Sequence, residues 1–224
     1  MEDPFLFRRS EAAELFIVRH ADAIPGEDEI IPSGIYDDLP LSRIGREQAQ
    51  ALAERLGKLH FDAMYSSPVK RCLQTAEPLA EQLGMTPIIV EGLKEIRLGT
   101  IRPLPGDTQD LAALTQALQE RQRDIVRMAG EAGNWDAIPD SEPSQAFRQR
   151  VVDALDDIAR RHIGQRVLAF AHGGVVNAYV AETLGMARDF FFPAANTSIT
   201  VVRATGGQRV LFILNDFGHV RRHE

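Results

Sequence analysis

The chain has 224 residues, 44% hydrophobic and 25% charged, an ordinary composition for a soluble globular protein that buries a full core as one domain over 1–224, although two small domains are also compatible with it. Lys and Arg number 25 against 32 Asp and Glu, so the net charge of −7 disfavours general attraction to nucleic acid or an anionic membrane, and any anion site must be a local Arg and His cluster. A single cysteine, Cys72, excludes an internal disulfide and a cysteine zinc site.

Leu15 to Val18 reads as a buried strand, and residues 21–40, with Pro25, Gly26 and Pro32 before Ser33, as a long loop overhanging its end. Ser42 can cap a helix whose Ile44, Ala51, Leu52, Leu56 and Leu59 share one face, after which Phe61 to Ser66 returns as a strand. Ser67 followed by Pro68 predicts a helix start with Ser67 as the cap. Val69, Cys72, Leu73, Ala76, Ala80 and Leu83 keep helical spacing, and Pro87 to Val90 is a short strand. The pattern so far is βαβαβ. Residues 100–143 interrupt it with a Pro- and Gly-rich turn, a helix from about Asp110 to Met128 and a loop holding Trp135, and read as an inserted cap. Beyond Ser144, Phe147, Val151, Leu155 and Ile158 mark a helix, Arg166 to Ala171 a strand and Val175 to Leu184 another helix. Ser198 to Arg203 and Arg209 to Leu214, separated by a TGGQ turn, predict an antiparallel hairpin at the sheet edge. The start MEDPFLFRRSEAAE lacks the charge and apolar order of a signal peptide, and no apolar stretch approaches a membrane span, so the expected location is the cytoplasm.

Two of these strands end on a histidine: FIVRH at Phe16 to His20 and FAHGG at Phe170 to Gly174. In open α/β sheets reactive groups gather beyond the carboxyl ends of strands, so His20 and His172 can meet although they are distant in the chain. Arg19 beside His20 would hold the ring neutral and nucleophilic while binding an anion, for which phosphate is the best match. The dipeptide alone says little, since Arg161–His162 and Arg222–His223 repeat it; these fall at a polar helix end and in the tail, where solvated surface is expected.

Arg71, fourth in its helix if Ser67 caps it, opposes the positive end of the helix dipole by a few tenths to about 1 kcal/mol, so it is either a solvated neighbour of Lys70 or part of an anion site. His172, Gly173 and Gly174 join a strand to a helix, where glycines let backbone N–H groups approach a phosphate; read singly, His172 is equally a satisfied core histidine. Phosphoryl transfer through histidine also needs a carboxyl group to protonate the leaving oxygen. Glu95 in LKEIRLG lies at the same sheet edge, with Glu91 as a local competitor.

Together these segments resemble the histidine phosphatase superfamily, the phosphoglycerate mutase-like fold. The resemblance rests on VRHA at Val18 to Ala21, PLSRIGREQA at Pro40 to Ala49, SSPVKRCLQTA at Ser66 to Ala76, LKEIRLG at Leu93 to Gly99 and AHGG at Ala171 to Gly174, of which SSPVKRCLQTA is the most specific. It implies an α/β, three-layer fold with a mostly parallel central sheet, helices on both faces and an inserted helical cap touching substrate. By the same resemblance His20 is the nucleophile that becomes phosphohistidine, and Glu95 donates the proton and later activates water. Arg19, Arg71, His172 and Gly173 form the phosphate pocket, and no metal or other cofactor is expected. NDFGHV at Asn215 to Val220 is similar to the family's C-terminal end, with His219 structural rather than catalytic.

Mutase members carry RHG followed by a Ser, Trp and Asn run, whereas this chain reads RHADAIPGEDEI. EIRLGTIRP lacks the Trp, Glu and Gly that many members place after the acid, and SEPS at Ser141 to Ser144 matches a Gly, Glu, Ser signature in part. Three readings follow: a metal-independent phosphomonoesterase for a small phosphorylated metabolite, a phosphoglycerate mutase, or a binding module that holds a phosphorylated ligand without turnover. The set Arg19, His20, Arg71, Glu95 and His172 favours an enzyme, since binding alone needs neither nucleophile nor acid. Arg97 and Arg102 are candidates for a second anionic group of the substrate. The oligomeric state is left open.

Overall fold

A computed structural model describes residues 9–26, 38–99, 101 and 111–220. Six strands, β1 (Ala13–Arg19), β2 (Ala63–Ser66), β3 (Ile88–Ile89), β4 (Arg166–Ala171), β5 (Ile199–Ala204) and β6 (Arg209–Asp216), form one sheet in the order β3-β2-β4-β1-β5-β6. β1 to β4 run parallel, while β5 is antiparallel to both β1 and β6. The sheet is mixed, mostly parallel with an antiparallel edge pair and flanking helices, as the sequence predicts. The helices are α1 (Arg43–Leu56), α2 (Lys70–Leu83), α3 (Leu111–Ala132), α4 (Ser144–Arg161) and α5 (Gly173–Thr183).

Alternation along the strands explains the layers. Leu15 and Ile17 of β1, with Val167 and Ala169 of β4, face Phe147, Val151 and Leu155 of α4 and Val175, Val176 and Tyr179 of α5. Phe16 and Val18, with Leu168 and Phe170, face Leu52 and Leu56 of α1 and Cys72, Ala76 and Leu79 of α2. A strand buried on both faces has no solvent side, so β1 and β4 read as unbroken apolar runs.

Two helix readings change. Ser42 caps α1 by accepting the Gly45 N–H at 2.9 Å, but the buried face is Gly45, Ala49, Leu52, Ala53 and Leu56. Ile44 and Leu59 are 53% and 37% exposed, because the small residues Gly45 and Ala49 let that side of the helix pack against the segment after β1, where a Cβ on Gly45 would lie 2.0 Å from the Asp22 carbonyl oxygen. In α2 the cap position is Val69, not Ser67. Ser67 lies before it with its hydroxyl beside His172, and the Asp38 carboxylate takes the free N–H of Lys70 at 2.8 Å. Arg71 is therefore the second residue of α2 rather than the fourth.

The segment between β3 and α4 contributes α3 and a turn that packs inward: Ala129, Trp135 and Ile138 join the same core as α4 and α5. Trp135 meets the Phe190 ring edge to face with centroids 5.1 Å apart, and its backbone N–H donates to Ser144 Oγ at α4. At the other end Thr115 Oγ1 donates to the Pro25 carbonyl, so α3 touches the segment that follows β1. His162 is not solvated surface, as its ring lies between Tyr65 Oη and Gln165; Arg222 and His223 lie outside the described residues. No helix among the described residues is long and apolar enough to cross a membrane.

Candidate active site

The last register pair between β1 and β4 is Arg19 with Ala171, so the next residue of each strand is a histidine and the two leave the sheet together. His20 donates its backbone N–H to the Ala171 carbonyl at 2.9 Å, and the rings of His20 and His172 lie 5.2 Å apart, inclined at 65°. Ser67, one residue past β2, donates its N–H to the Phe170 carbonyl and completes this row of strand ends.

His20 Nδ1 lies 2.7 Å from the Ala21 carbonyl oxygen. A carbonyl only accepts, so Nδ1 carries the proton and Nε2 presents a lone pair. Burial, reinforced by the Arg71 and Arg19 charges, holds the His20 pKa well below the usual histidine value, so the ring is neutral at neutral pH. The backbone around it is held from both sides. Asn196 Nδ2 donates to the His20 carbonyl at 3.1 Å, while the Ala21 N–H donates to Thr75 Oγ1, whose hydroxyl donates to the Arg71 carbonyl.

Arg19 donates through Nη1 to the Ala194 carbonyl, but its Nε is buried with no hydrogen-bond partner among the described residues. A buried guanidinium N–H left in this way is costly unless an anion accepts from it. Gly173 sits against that atom; a Cβ placed there would lie 3.6 Å from it, in ordinary contact. Arg71 Nη2 donates to His172 Nδ1 at 3.2 Å, which places the His172 proton on Nε2, directed at Ser67 Oγ 3.0 Å away. Burial, followed by the Arg71, His20 and Arg19 charges, keeps His172 neutral as well. Cys72 lies beneath, with Sγ 3.4 Å from His172 Nε2, and burial pushes its thiol up to about 12, so it is no nucleophile at neutral pH.

The two sequence candidates for the acid lie in different surroundings. Glu91 is exposed and paired with Lys94 at 2.6 Å. Glu95 instead reaches the start of α5: one carboxyl oxygen accepts the Gly174 N–H at 3.1 Å and the other its neighbour Ile96 N–H at 3.0 Å. Burial raises its pKa above the usual carboxylate value, against the opposing pull of those two N–H groups and of Arg71 and Arg19. Gly174 is required for this seat, because a Cβ there would lie 2.2 Å from Glu95 Oε1.

The structure thus brings together His20, Arg19, Arg71, His172, Gly173 and Glu95. It does not place Arg97 with them: its guanidinium donates to the Asp140 carbonyl. Arg102 lies outside the described residues. His219 is buried between Arg55 and Thr197, with burial taking its pKa down to about 4. Two contributors had no separate signal in the sequence: Thr75 lies inside a recognised motif and Asn196 in an unpatterned turn. Among the described residues no three His, Cys, Asp or Glu side chains gather as a metal site.

Residues 15–216 match the family model for the histidine phosphatase superfamily, branch 1. The chain belongs to the histidine phosphatase superfamily. Among its relatives is a metal-independent phosphoserine phosphatase of Arabidopsis thaliana, 31% identical over 217 residues that cover 94% of this chain and 84% of the relative. The phosphoglycerate mutase-like protein 4 of the same plant is 27% identical, covering 93% and 87%. A crystal structure of phosphoserine phosphatase from Entamoeba histolytica in complex with 3-phosphoglyceric acid superposes with a TM-score of 0.68 at 25% identity, covering 93% of this chain and 99% of that one. As a histidine phosphatase superfamily member the chain is an enzyme, a phosphatase with the phosphoglycerate mutase-like fold that the sequence predicts.

Proposed function

We propose that the protein hydrolyses the phosphomonoester of a small metabolite through a phosphohistidine at His20, without a metal, and that phosphoserine is the first substrate to test. The observation that carries this reading is the pairing of an Nε2 lone pair on a neutral His20 with a carboxyl group of raised pKa at Glu95.

In the first step His20 Nε2 attacks phosphorus, forming the P–N bond as the P–O ester bond breaks, and Glu95 delivers its proton to the departing oxygen. The imidazole keeps its Nδ1 proton on the Ala21 carbonyl, which stabilises the positive charge shared by the phosphorylated ring. In the second step Glu95, now a carboxylate, takes a proton from water as the water oxygen attacks phosphorus and His20 Nε2 departs with the P–N electron pair. Arg19 Nε, Arg71, His172 and the Gly173 backbone hold the three phosphoryl oxygens as charge moves. His172 serves as donor through Nδ1 once Arg71 turns to phosphate and the ring proton moves from the Ser67 side. Residues 100–143 act as the cap, supported by the contact of Thr115 with Pro25 just beyond the nucleophile.

The mutase-like relative keeps a second reading, transfer of the phosphoryl group back to the substrate. Its discriminating requirement is exclusion of water from the phosphohistidine. Incubation with phosphoserine and, separately, with 3-phosphoglycerate and a bisphosphate primer decides between them: release of inorganic phosphate from phosphoserine supports the hydrolase, and 2-phosphoglycerate formed without phosphate release overturns it.

A further inference from the structure

We infer that Arg150 is a positioning residue that fixes the segment bearing Glu95, so that the carboxyl group reaches the leaving oxygen; the inference rests on the proposed role of Glu95 as the acid. Residues 94–99 have neither helix nor strand to satisfy their backbone. Something else must hold this stretch, because an irregular segment with unpaired carbonyls drifts or takes up water. Arg150, on α4, supplies that hold: Nη1 donates to the carbonyls of Gly92 at 3.0 Å and Lys94 at 2.8 Å, and Nη2 reaches the Glu95 carbonyl at 3.4 Å.

The guanidinium is itself fixed on its remaining sides. Glu142 accepts from Nε at 3.0 Å and from Nη2 at 2.7 Å as a two-point fork, and the Phe147 ring lies 4.8 Å beneath. Glu142 also accepts the Arg97 N–H and donates its own N–H to the Arg97 carbonyl, so both ends of the acid segment are tied to α4 or to the residues leading into it. Gly92 permits the close approach, since a Cβ there would lie 2.6 Å from Ala154 Cβ. Only a planar five-donor group meets so many acceptors at once; a lysine ammonium offers three donors from one point. Among the described residues the Glu95 carboxyl hydrogen-bonds only the Gly174 and Ile96 N–H groups, so its placement depends on this backbone.

The test pairs Arg150→Lys, which keeps the charge, with Arg150→Met, which keeps the stem over Phe147, and follows two readouts. In single-turnover phosphorylation, Arg150→Lys should slow an alkyl phosphate by up to roughly 10²-fold, the cost of about 1 Å of misplacement, and p-nitrophenyl phosphate far less. Added to Glu95→Gln, it should cause no further loss on the alkyl ester. Amide exchange at Gly174, whose N–H is held by Glu95, should accelerate in both Arg150 variants while exchange in β1 and β4 stays native. Equal loss on both esters, or additive losses in the double variant, overturns the positioning role. If Glu95→Gln itself proves insensitive to the leaving group, the acid assignment fails, and Gly174 exchange alone decides the clamp: unchanged exchange in both Arg150 variants overturns it.

Discussion

Arg19 and Ala171 are register partners at the ends of adjacent parallel strands, and this pairing places His20 beside His172 although the two histidines are far apart in the sequence. The chemistry therefore depends on strand register as much as on residue identity, since a shift by one residue would turn one histidine to the other face of the sheet.

His20→Ala should abolish turnover and leave phosphate binding measurable by titration calorimetry. Arg19, Arg71 and His172 remain, and their charge-assisted hydrogen bonds carry the binding, whereas the covalent route needs the imidazole. Undiminished turnover in this variant would sink the mechanism.

Rapid acid-free quenching with labelled substrate should trap a phosphoenzyme that survives alkali and is lost in acid, because a phosphoramidate departs once its nitrogen is protonated. Ser66 and Ser67 lie close by, and phosphoserine has the opposite stability, so the two are separable. Ser67 Oγ is committed to His172 and Ser66 Oγ to the Ser67 carbonyl, which leaves neither poised for attack. Label recovered on any residue but His20 refutes the assignment.

EDTA should leave the rate of phosphate release unchanged. The charge that a metal would supply comes instead from Arg19 and Arg71, whose guanidinium groups adjoin His20 and His172. Loss of activity on chelation with recovery on added zinc or magnesium would count decisively against this reading.

Gly174→Ala should lower the rate on alkyl phosphates and cost about 1–3 kcal/mol of stability in chemical denaturation, as overpacking does. The added Cβ would lie 2.2 Å from Glu95 Oε1 and 3.3 Å from the Phe147 ring, so the carboxyl must leave the Gly174 N–H. Gly173→Ala is the control for stability alone, because its nearest contact is 3.6 Å away while its backbone lines the proposed phosphate pocket. Equal changes of stability at both positions would show that helix propensity rather than the Glu95 seat is being measured.

Much of this site is legible in the sequence because chemistry sits at strand ends, where apolar runs stop abruptly: FIV before Arg19 and LAFA before His172 mark the two positions that matter. What hides is whatever depends on approach between distant segments. Arg150 reads as one more charge on an amphipathic helix, and only the path of residues 92–97 across α4 gives it three carbonyl acceptors beside the Glu142 carboxylate. Ser67 looks like a helix cap by its place before Pro68, yet the structure spends its hydroxyl on His172, and a carboxylate from Asp38, far back in sequence, caps α2 instead. Ile44 has the spacing of a core residue, and the smaller Gly45 and Ala49 took its place because α1 packs closely.

The pH dependence and leaving-group dependence of Glu95 test its role together. Phosphorylation needs His20 neutral and Glu95 protonated, so the single-turnover rate should fall as pH drops through the lowered His20 pKa and fall again as pH rises through the raised Glu95 pKa. Glu95→Gln should remove the upper limb and slow alkyl phosphates by roughly 10²–10⁴-fold, the usual contribution of general acid catalysis. p-Nitrophenyl phosphate should be slowed less, because its leaving group departs as a stable phenolate with little need of a proton. At steady state slow water activation would limit both esters and hide the difference, which is why the phosphorylation step itself must be timed. Glu91→Gln should change neither limb, as that carboxylate is exposed and paired with Lys94. An upper limb that persists in Glu95→Gln and vanishes in Glu91→Gln would transfer the role to the wrong side of the segment and overturn the geometry on which it rests.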